Sequence, residues 1–487
     1  MKSNTHLFLY PFPTAGHIIP MLDLATAILR REGFTITLLV TPPNISLLQP
    51  LISLFPSSFH YLLLQFHPPP PQQHQHLTSK IIALRVLDPQ IEDWFRTHSS
   101  PPVAIISDFF LGWTQPLALK LGIKRLVFSP SGAFALAVAN SLWLNCRFTE
   151  EVQVPPPDDT PVAFHDLPGS PVFEWWQLSQ LYRDQRDRRA ADYDNRDWEF
   201  FRASWLNNLA SWGTVVNTFA DLESKYIDHL KTTDYGFGQP NRIWAVGPLL
   251  TDESQSQSQP PGRGGASVLP LDQVMTWIHQ KPHNSVIFVC FGSRCALSKR
   301  QMDVLSTALD CSGVSFILAV RPHDGGHSNA VAVDDLGELP EDYEERVAGR
   351  GLVIRGWAPQ VPILNHPAVG SFLTHCGWNS VLEGLSAGVV MLTWPMGADQ
   401  FTNAKLLVDQ AGVGIRVGES SRIIPKVDEL AAVLLPQSLD PTRMERKRAC
   451  EFRSAAKAAV KGGSSERDVD DLVTQLRQLE PVVVVTD

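Results

Sequence analysis

The sequence predicts an α/β fold of two Rossmann-like domains facing across a cleft, and three observations carry that expectation. The chain has 487 residues, more than one hydrophobic core usually fills, so two domains of roughly two hundred residues or more are expected. In both halves, short apolar runs of strand length alternate with helix-compatible stretches. Between the halves lies a polar, glycine-rich stretch from Thr251 to Gly265, with too little apolar content to pack. The expected division is an N-terminal domain over 1–250, a linker over 251–265, a second domain over 266–460, and a terminal helix over 461–487 that returns toward the first. The cleft is the natural binding site.

The elements follow in order. His6 to Tyr10 reads as a short buried strand, followed by a loop to Gly16, a helix from about Ile18 to Arg31 and an apolar strand from Thr35 to Val40, which together make a β-α-β unit. Val103 to Ser107 and Arg125 to Phe128 are further buried strands, with a helix-compatible stretch between them ending near Leu121 and Gly122, so a parallel sheet with covering helices is expected. Pro68 to Pro71 and the Gln/His run after it mark a surface loop. Residues 165–210 break the rhythm with Trp175-Trp176 and a mixed-charge run from Arg183 to Arg189, and are expected to form a helical insertion facing water. Beyond the linker the alternation restarts, with strands Val286 to Phe291, Phe316 to Val320, Gly351 to Ile354, Gly370 to Thr374 and Val389 to Trp394. Helices are expected over Lys299 to Cys311 and Ser380 to Ala387. The last helical stretches, Met444 to Val460 and Glu466 to Leu479, have no strands of their own and are expected to pack back across the domain junction.

Composition narrows the function classes. A hydrophobic share of 44% with 19% charged residues is that of an ordinary folded chain, and 38 Pro against 31 Gly suggests ordered loops. The net charge of −9 argues against nucleic acid or an anionic membrane as the main partner, while a nucleotide needs only local positive potential. Six cysteines (Cys146, Cys290, Cys295, Cys311, Cys376, Cys450) contain no C-x-x-C pair, as expected of reduced thiols in a cytoplasmic protein. Pro11 and Pro13 interrupt the apolar N-terminal run too early for a signal segment, and no apolar run approaches the ~18 residues of a membrane span.

The chemistry concentrates in WAPQVPILNHPAVGSFLTHCGWNSVLEGLSAGVVMLTWPMGADQ, from Trp357 to Gln400. Thr374 to Gly377 follows a strand and precedes a helix, so His375 and the N–H groups near Asn379 and Ser380 converge where phosphate would meet a helix dipole. Gly292-Ser293, after the strand ending at Phe291, offers a second phosphate contact by the same geometry. Trp357 presents a flat face for a planar ring, whose polar edge Gln360 or nearby backbone at Ala358 would read. Glu383 lies one helical turn beyond Asn379 and suits a pair of hydroxyls. With its H-C-G-W-N-S-x-x-E core intact, the whole stretch resembles the signature box of plant UDP-dependent glycosyltransferases, family 1, whose fold is GT-B, which implies uracil on Trp357 and the ribose hydroxyls on Glu383. That resemblance implies that Trp378, Asp399 and Gln400 contact the transferred sugar, with a terminal Gln leaning toward glucose. Val390 stands where the family usually has Pro, a departure that touches no contact residue.

Pro11-Phe12-Pro13-Thr14-Ala15-Gly16-His17-Ile18-Ile19-Pro20 resembles the family's P-x-P-x-x-G-H-x-x-P loop and sets His17 at a strand's end, facing the cleft. Imidazole, with an ordinary pKa near ~6.5, can take a proton from a phenol at neutral pH. Asp108 ends the strand from Val103, on the same sheet edge, where it would hold the imidazole and stabilise its cation. The two form the candidate catalytic dyad. By loop order Ser129 is a further sugar or phosphate contact. The expected reaction is in-line attack of an acceptor oxygen on the anomeric carbon with inversion, while His375, Ser293 and helix N–H groups meet the diphosphate's charge without a metal. The expected partners are a UDP-sugar and a small phenolic acceptor, with no other cofactor and a monomeric chain. Leu167 to Arg183 resembles a subgroup acting on flavonols and simple phenolic acids, which makes a flavonoid the leading acceptor.

Alone, His17 would read as a polar loop residue, Asp108 as a helix cap, His375 as a cap and Trp394 as core; joint placement favours the functional reading for all but Trp394. Gly384-Leu385-Ser386-Ala387-Gly388 matches a hydrolase elbow string, but it precedes a strand and no histidine follows it. Asp192-Tyr193-Asp194 sits in a charged stretch rather than at a strand end, His323 and His327 lack a third metal ligand, and no G-x-G-x-x-G follows a strand. A sugar-nucleotide-binding protein without catalysis is the non-enzyme alternative, and a hydroxybenzoate or terpenoid the alternative acceptor.

Overall fold

The computed structural model describes residues 4–65, 77–145, 156–184, 196–238, 241–250, 269–293, 295–320, 335–435 and 442–480. The expected linker 251–265, the Pro68–Pro71 loop, Cys146, Asp192-Tyr193-Asp194, His323, His327 and the charged run beyond residue 184 lie outside the described residues. The chain divides into two compact units, Met1–Ser256 with Ala458–Asp487, and Gln257–Lys457.

The first unit holds a seven-stranded sheet of β1 (Thr5–Tyr10), β2 (Phe34–Val40), β3 (Phe59–Leu63), β4 (Ala104–Asp108), β5 (Lys124–Ser129), β8 (Gly213–Val216) and β9 (Ile243–Ala245); β6 (Pro161–Ala163) and β7 (Val172–Glu174) form a separate antiparallel pair. The seven lie in the order β3-β2-β1-β4-β5-β8-β9, every pair parallel. The central strands β1 and β4 are apolar and buried almost throughout, as strands covered on both faces must be. The edge strand β3 instead exposes His60 and Tyr61. Helix Ser464–Arg477 carries Val469, Leu472, Val473 and Leu476 on one stripe, and this stripe joins the core of β1, β2 and Trp244. Its polar side reaches the same unit through Arg31–Asp470 at 2.6 Å and through Trp244 Nε1 donating to Asp471 at 2.7 Å.

The expectation of a water-facing insertion over 165–210 is corrected. Trp175, Trp176, Tyr182, Trp198, Phe201 and Trp205 are buried there, with Tyr182 5.1 Å from the Trp143 ring and 5.7 Å from Trp198. At the described positions aromatic burial decides the packing, because each large ring removes much apolar surface from water.

The second unit holds six parallel strands, β10 (Val286–Cys290), β11 (Ser315–Val320), β12 (Gly351–Arg355), β13 (Val369–Thr374), β14 (Val390–Thr393) and β15 (Gly414–Arg416), ordered β12-β11-β10-β13-β14-β15. Helix Lys299–Ser312 starts at a reciprocal Ser298/Gln301 capping box and stops at Gly313, whose φ of 65° suits the left-handed cap. Trp394 is fully buried, donates Nε1 to Ser420 O and meets Phe291 edge-on, so packing accounts for it. Val390 is buried within β14, where a β-branched residue fits the pleat. Among the described residues no helix is long and apolar enough to cross a membrane.

Candidate active site

Each sheet reverses its direction of strand addition once, between β1 and β4 in the first unit and between β10 and β13 in the second. At such a switch point the loops leaving the strands' carboxyl ends diverge and open a crevice. The candidate residues gather at these two points.

In the first unit the helix after β1 spans Ala15–Leu29, three residues earlier than the sequence suggests, because Thr14 O already accepts from the N–H groups of His17 and Ile18, both at 2.9 Å. His17 is therefore held in a helical first turn rather than on a loop. Its Nδ1 lies 2.7 Å from Asp108 Oδ2, and the other carboxylate oxygen accepts from Phe110 N at 2.9 Å. Asp108 is fully buried while His17 keeps 16% exposure. A carboxylate only accepts, so Nδ1 carries the proton and Nε2 presents its lone pair away from Asp108. Phe12, Phe109 and Phe110 surround the imidazole at ring separations of 5.4, 5.9 and 5.1 Å, fixing its plane.

Behind the pair sits Arg125, 1% exposed. It donates to Ser107 Oγ, Thr114 Oγ1, Ser211 Oγ and Asn208 Oδ1 at 2.7–2.9 Å. Burial pushes the guanidinium down to about 9, against the opposing pull of Asp108. Asn208 in turn donates to Phe109 O at 2.7 Å, so one network grips the loop that carries Asp108. Ser129, expected near sugar or phosphate, is fully buried and donates its hydroxyl to Ser131 O at 2.9 Å. The neighbouring helix Ala133–Asn145 has its first N–H groups occupied by the buried Glu223 carboxylate, which accepts from Ala133 N and Phe134 N, both at 2.8 Å. Ser129 therefore commits its hydroxyl hydrogen to the turn that opens this helix.

In the second unit His375 leaves β13 beside the loop leaving β10. A Cβ on Gly292 or on Gly377 would stand 2.5 Å from His375 Nε2, and Gly292 has φ +77°, so only glycine leaves room for the ring. Burial lowers the imidazole to about 4, so at neutral pH it is an uncharged N–H donor. Its Nδ1 is shut off from solvent without a hydrogen-bond partner among the described residues. Ser293 follows Gly292 on this loop and is half-buried. Helix Trp378–Ala387 begins here with Gly377 at its N-cap, so no side chain caps it. Trp378 is buried, Asn379 is half-buried in the first turn, and Gly384 to Ala387 lie in the last turn.

Trp357 is half-exposed and meets no other aromatic ring among the described residues; Ala358 O after it accepts from Gln360 N at 2.8 Å. The Gln360 amide does not point outward as a free reader of a base. It donates to Ser380 Oγ at 3.0 Å and to Glu383 Oε2 at 2.6 Å, which leaves its carbonyl as the outward group. Gln400 is likewise half-committed, its Oε1 accepting from Met396 N at 2.8 Å and Gly397 N at 3.0 Å, so its NH₂ is the end available to a ligand. Asp399 stands at the N-cap of helix Gln400–Lys405 and accepts from Asn403. Phe12, Phe110, Arg125 and Asn403 were not anticipated. Arg125 was legible only as a cation inside an otherwise apolar strand, and Asn403 only as an i+4 partner of Asp399.

The family model described as "UDP-glucoronosyl and UDP-glucosyl transferase" matches residues 270–427. The chain is 43% identical to UDP-glycosyltransferase 89B2 of Stevia rebaudiana, over 98% of each. It is 41% identical to flavonol 3-O-glucosyltransferase UGT89B1 of Arabidopsis thaliana, over 98% of this chain and 97% of that one. The crystal structure of Arabidopsis thaliana UGT89C1 with UDP-L-rhamnose superposes with a TM-score of 0.76 at 35% identity, covering 98% of this chain and 100% of that one.

Proposed function

Because the chain belongs to the plant UDP-glycosyltransferase family, enzymes that move a sugar from a UDP-sugar to a small acceptor, we propose that it transfers glucose to a hydroxyl of a flavonoid, with His17 as the base. The observation that carries this is the 2.7 Å bond between His17 Nδ1 and the buried Asp108 carboxylate at the sheet's switch point. It sets the tautomer in which Nε2 can accept the acceptor's proton, and it offsets the positive charge that then appears on the ring. The oxygen so freed forms a bond to the anomeric carbon as the bond from that carbon to the UDP oxygen breaks, inverting the configuration.

On the donor side, uracil stacks on Trp357 with the Gln360 carbonyl and Ala358 backbone at its edge, and Glu383, fixed by Gln360, accepts from the ribose hydroxyls. The diphosphate lies at the start of helix Trp378–Ala387 against His375, Ser293, Asn379 and Ser380, where N–H donors meet the charge that develops as UDP leaves. The sugar meets Trp378, the Asp399 carboxylate and the Gln400 NH₂. No divalent metal is assigned a part, and turnover should persist in EDTA. A flavonol acceptor is supported by the name of the Arabidopsis glucosyltransferase at 41% identity, while the UDP-L-rhamnose complex of UGT89C1 makes rhamnose the sugar to test against glucose. Crossing UDP-glucose, UDP-L-rhamnose and UDP-galactose with flavonols, hydroxybenzoates and terpenoid alcohols, with products identified by mass, tests the assignment. Flavonol glucoside should form with the highest kcat/KM; a better non-phenolic acceptor or a better second sugar would overturn the corresponding half.

A further inference from the structure

The Asp108 carboxylate is oriented by a backbone peptide, and that peptide is itself gripped by a side chain. Phe110 N donates to Asp108 Oδ1 at 2.9 Å, and the carbonyl of the same peptide unit, Phe109 O, accepts from Asn208 Nδ2 at 2.7 Å. Because the unit is planar and rigid, holding its oxygen also aims its N–H. Asn208 is 6% exposed in helix Arg196–Leu209, and chemistry dictates which way its amide faces. A backbone carbonyl only accepts and the Arg125 guanidinium only donates, so Nδ2 meets Phe109 O while Oδ1 takes Arg125 Nη2 at 2.9 Å. The helix comes close to this turn: a Cβ on Gly112 would stand 1.8 Å from Ser204 O, and the Trp205 ring meets Phe109 edge-on at 5.5 Å. Hydrogen bonds thus run head to tail from Arg125 through Asn208, the Phe109–Phe110 peptide and Asp108 to His17.

We infer that Asn208 is a positioning residue for the base, acting through the Phe109–Phe110 peptide to set the Asp108 carboxylate and, with it, the plane and tautomer of His17. The role rests on the proposed part of His17 and Asp108 in proton removal and deepens it. Bonds in such a chain polarise one another, so a donor on Phe109 O strengthens the N–H that Asp108 accepts. If the carbonyl is released or repelled, the peptide tilts and the carboxylate moves with it. A displacement of about 1 Å costs up to about 10²-fold in turnover. Affinity for UDP is spared, since the residues assigned to UDP belong to the other unit.

Asn208→Asp is the informative change. It keeps the size of the side chain and still accepts from Arg125, whose charge holds the new carboxylate ionised. Its second oxygen, however, faces Phe109 O, acceptor against acceptor. The test compares Asn208→Asp, Asn208→Ala, Asp108→Asn and the combination of Asn208→Asp with Asp108→Asn in the full chain. Flavonol glucoside formation gives kcat and KM, calorimetry gives UDP affinity, and a urea transition reports folding. Asn208→Asp should lower kcat about 10- to 100-fold, while UDP affinity and KM for UDP-glucose stay within about threefold. Asn208→Ala, which removes the donor without adding charge, should show the same split and serves if the aspartate variant does not fold. The combined variant should be no slower than Asp108→Asn alone, because both act through one carboxylate. Beside a damaged Asp108→Asn, an Asn208→Asp kcat within about threefold of the parent, or losses that multiply in the combination, would overturn the relay and leave the dyad standing. An undamaged Asp108→Asn would overturn the dyad itself, and the relay with it.

Discussion

Replacing Asp108 by Asn changes few atoms and reverses one hydrogen bond. The buried carboxylate accepts from two donors, Phe110 N at 2.9 Å and His17 Nδ1 at 2.7 Å. Asn has a single carbonyl oxygen for the two, and if Phe110 N keeps it, an NH₂ group faces Nδ1–H. Donor meets donor, and the ring relieves the conflict by moving its proton to Nε2, the nitrogen required as base. Losing a hydrogen bond to a charged group costs about 1.5–3 kcal/mol, which at about 1.4 kcal/mol per decade is roughly a 10- to 150-fold fall in rate. The tautomer shift adds to this, so kcat should fall by about 10²-fold or more. The UDP-binding residues belong to the other unit, so KM for UDP-glucose should stay within about threefold. Initial rates of flavonol glucoside formation by liquid chromatography, with UDP-glucose varied, measure both. A kcat within about threefold of the parent, or a loss confined to KM, would refute the role of Asp108 in setting the tautomer.

Three further outcomes are expected. Arg125→Met leaves Ser107, Thr114, Asn208 and Ser211 without their buried donor and should lower urea stability by about 3–5 kcal/mol; a loss below about 1 kcal/mol would show the network to be dispensable. Gly292→Ala sets a Cβ 2.5 Å from His375 Nε2 at a left-handed φ and should weaken UDP about tenfold or more by calorimetry; unchanged affinity would move His375 away from the diphosphate. His6, whose Nδ1 donates to Ser100 O and whose Nε2 accepts from Thr37, is lowered by burial from 6.5 to about 4, with His98 and His60 adding to the shift. Between those values the unfolded chain binds more protons, so its contribution to stability is whole above about pH 6.5 and falls by roughly 3 kcal/mol as pH drops toward 4. His375 acts in the same direction. Urea titrations at pH 7 and pH 5 should show the loss, and His6→Gln should flatten the difference; an unchanged difference would refute the assignment.

Much of the fold was legible because parallel strands covered on both faces must be largely apolar, and β1, β4, β10 and β13 each carry a buried apolar run. The strands that escaped notice, β3, β6, β7, β8, β9 and β15, are short or lie at or near sheet edges where apolar runs are not demanded. Charge misled over 165–210, where the rings of Trp175, Tyr182 and Trp198 form buried contacts that no periodicity announces. The box from Trp357 to Gln400 disclosed its residues but not their commitments. That the Gln360 amide turns to Glu383, and that the Gln400 carbonyl is held by Met396 and Gly397, depends on atoms brought together by loop geometry. The bond from Ser129 to Ser131 O was hidden for the same reason, since loop order places a residue without saying what its hydroxyl bonds.

The most direct measurement is His17→Ala, with flavonol glucoside formation and UDP affinity followed on the same purified protein. Removing the base should lower kcat by about 10²- to 10⁴-fold while UDP binds within about threefold of the parent. Glucoside formation near the parent rate would contradict the account.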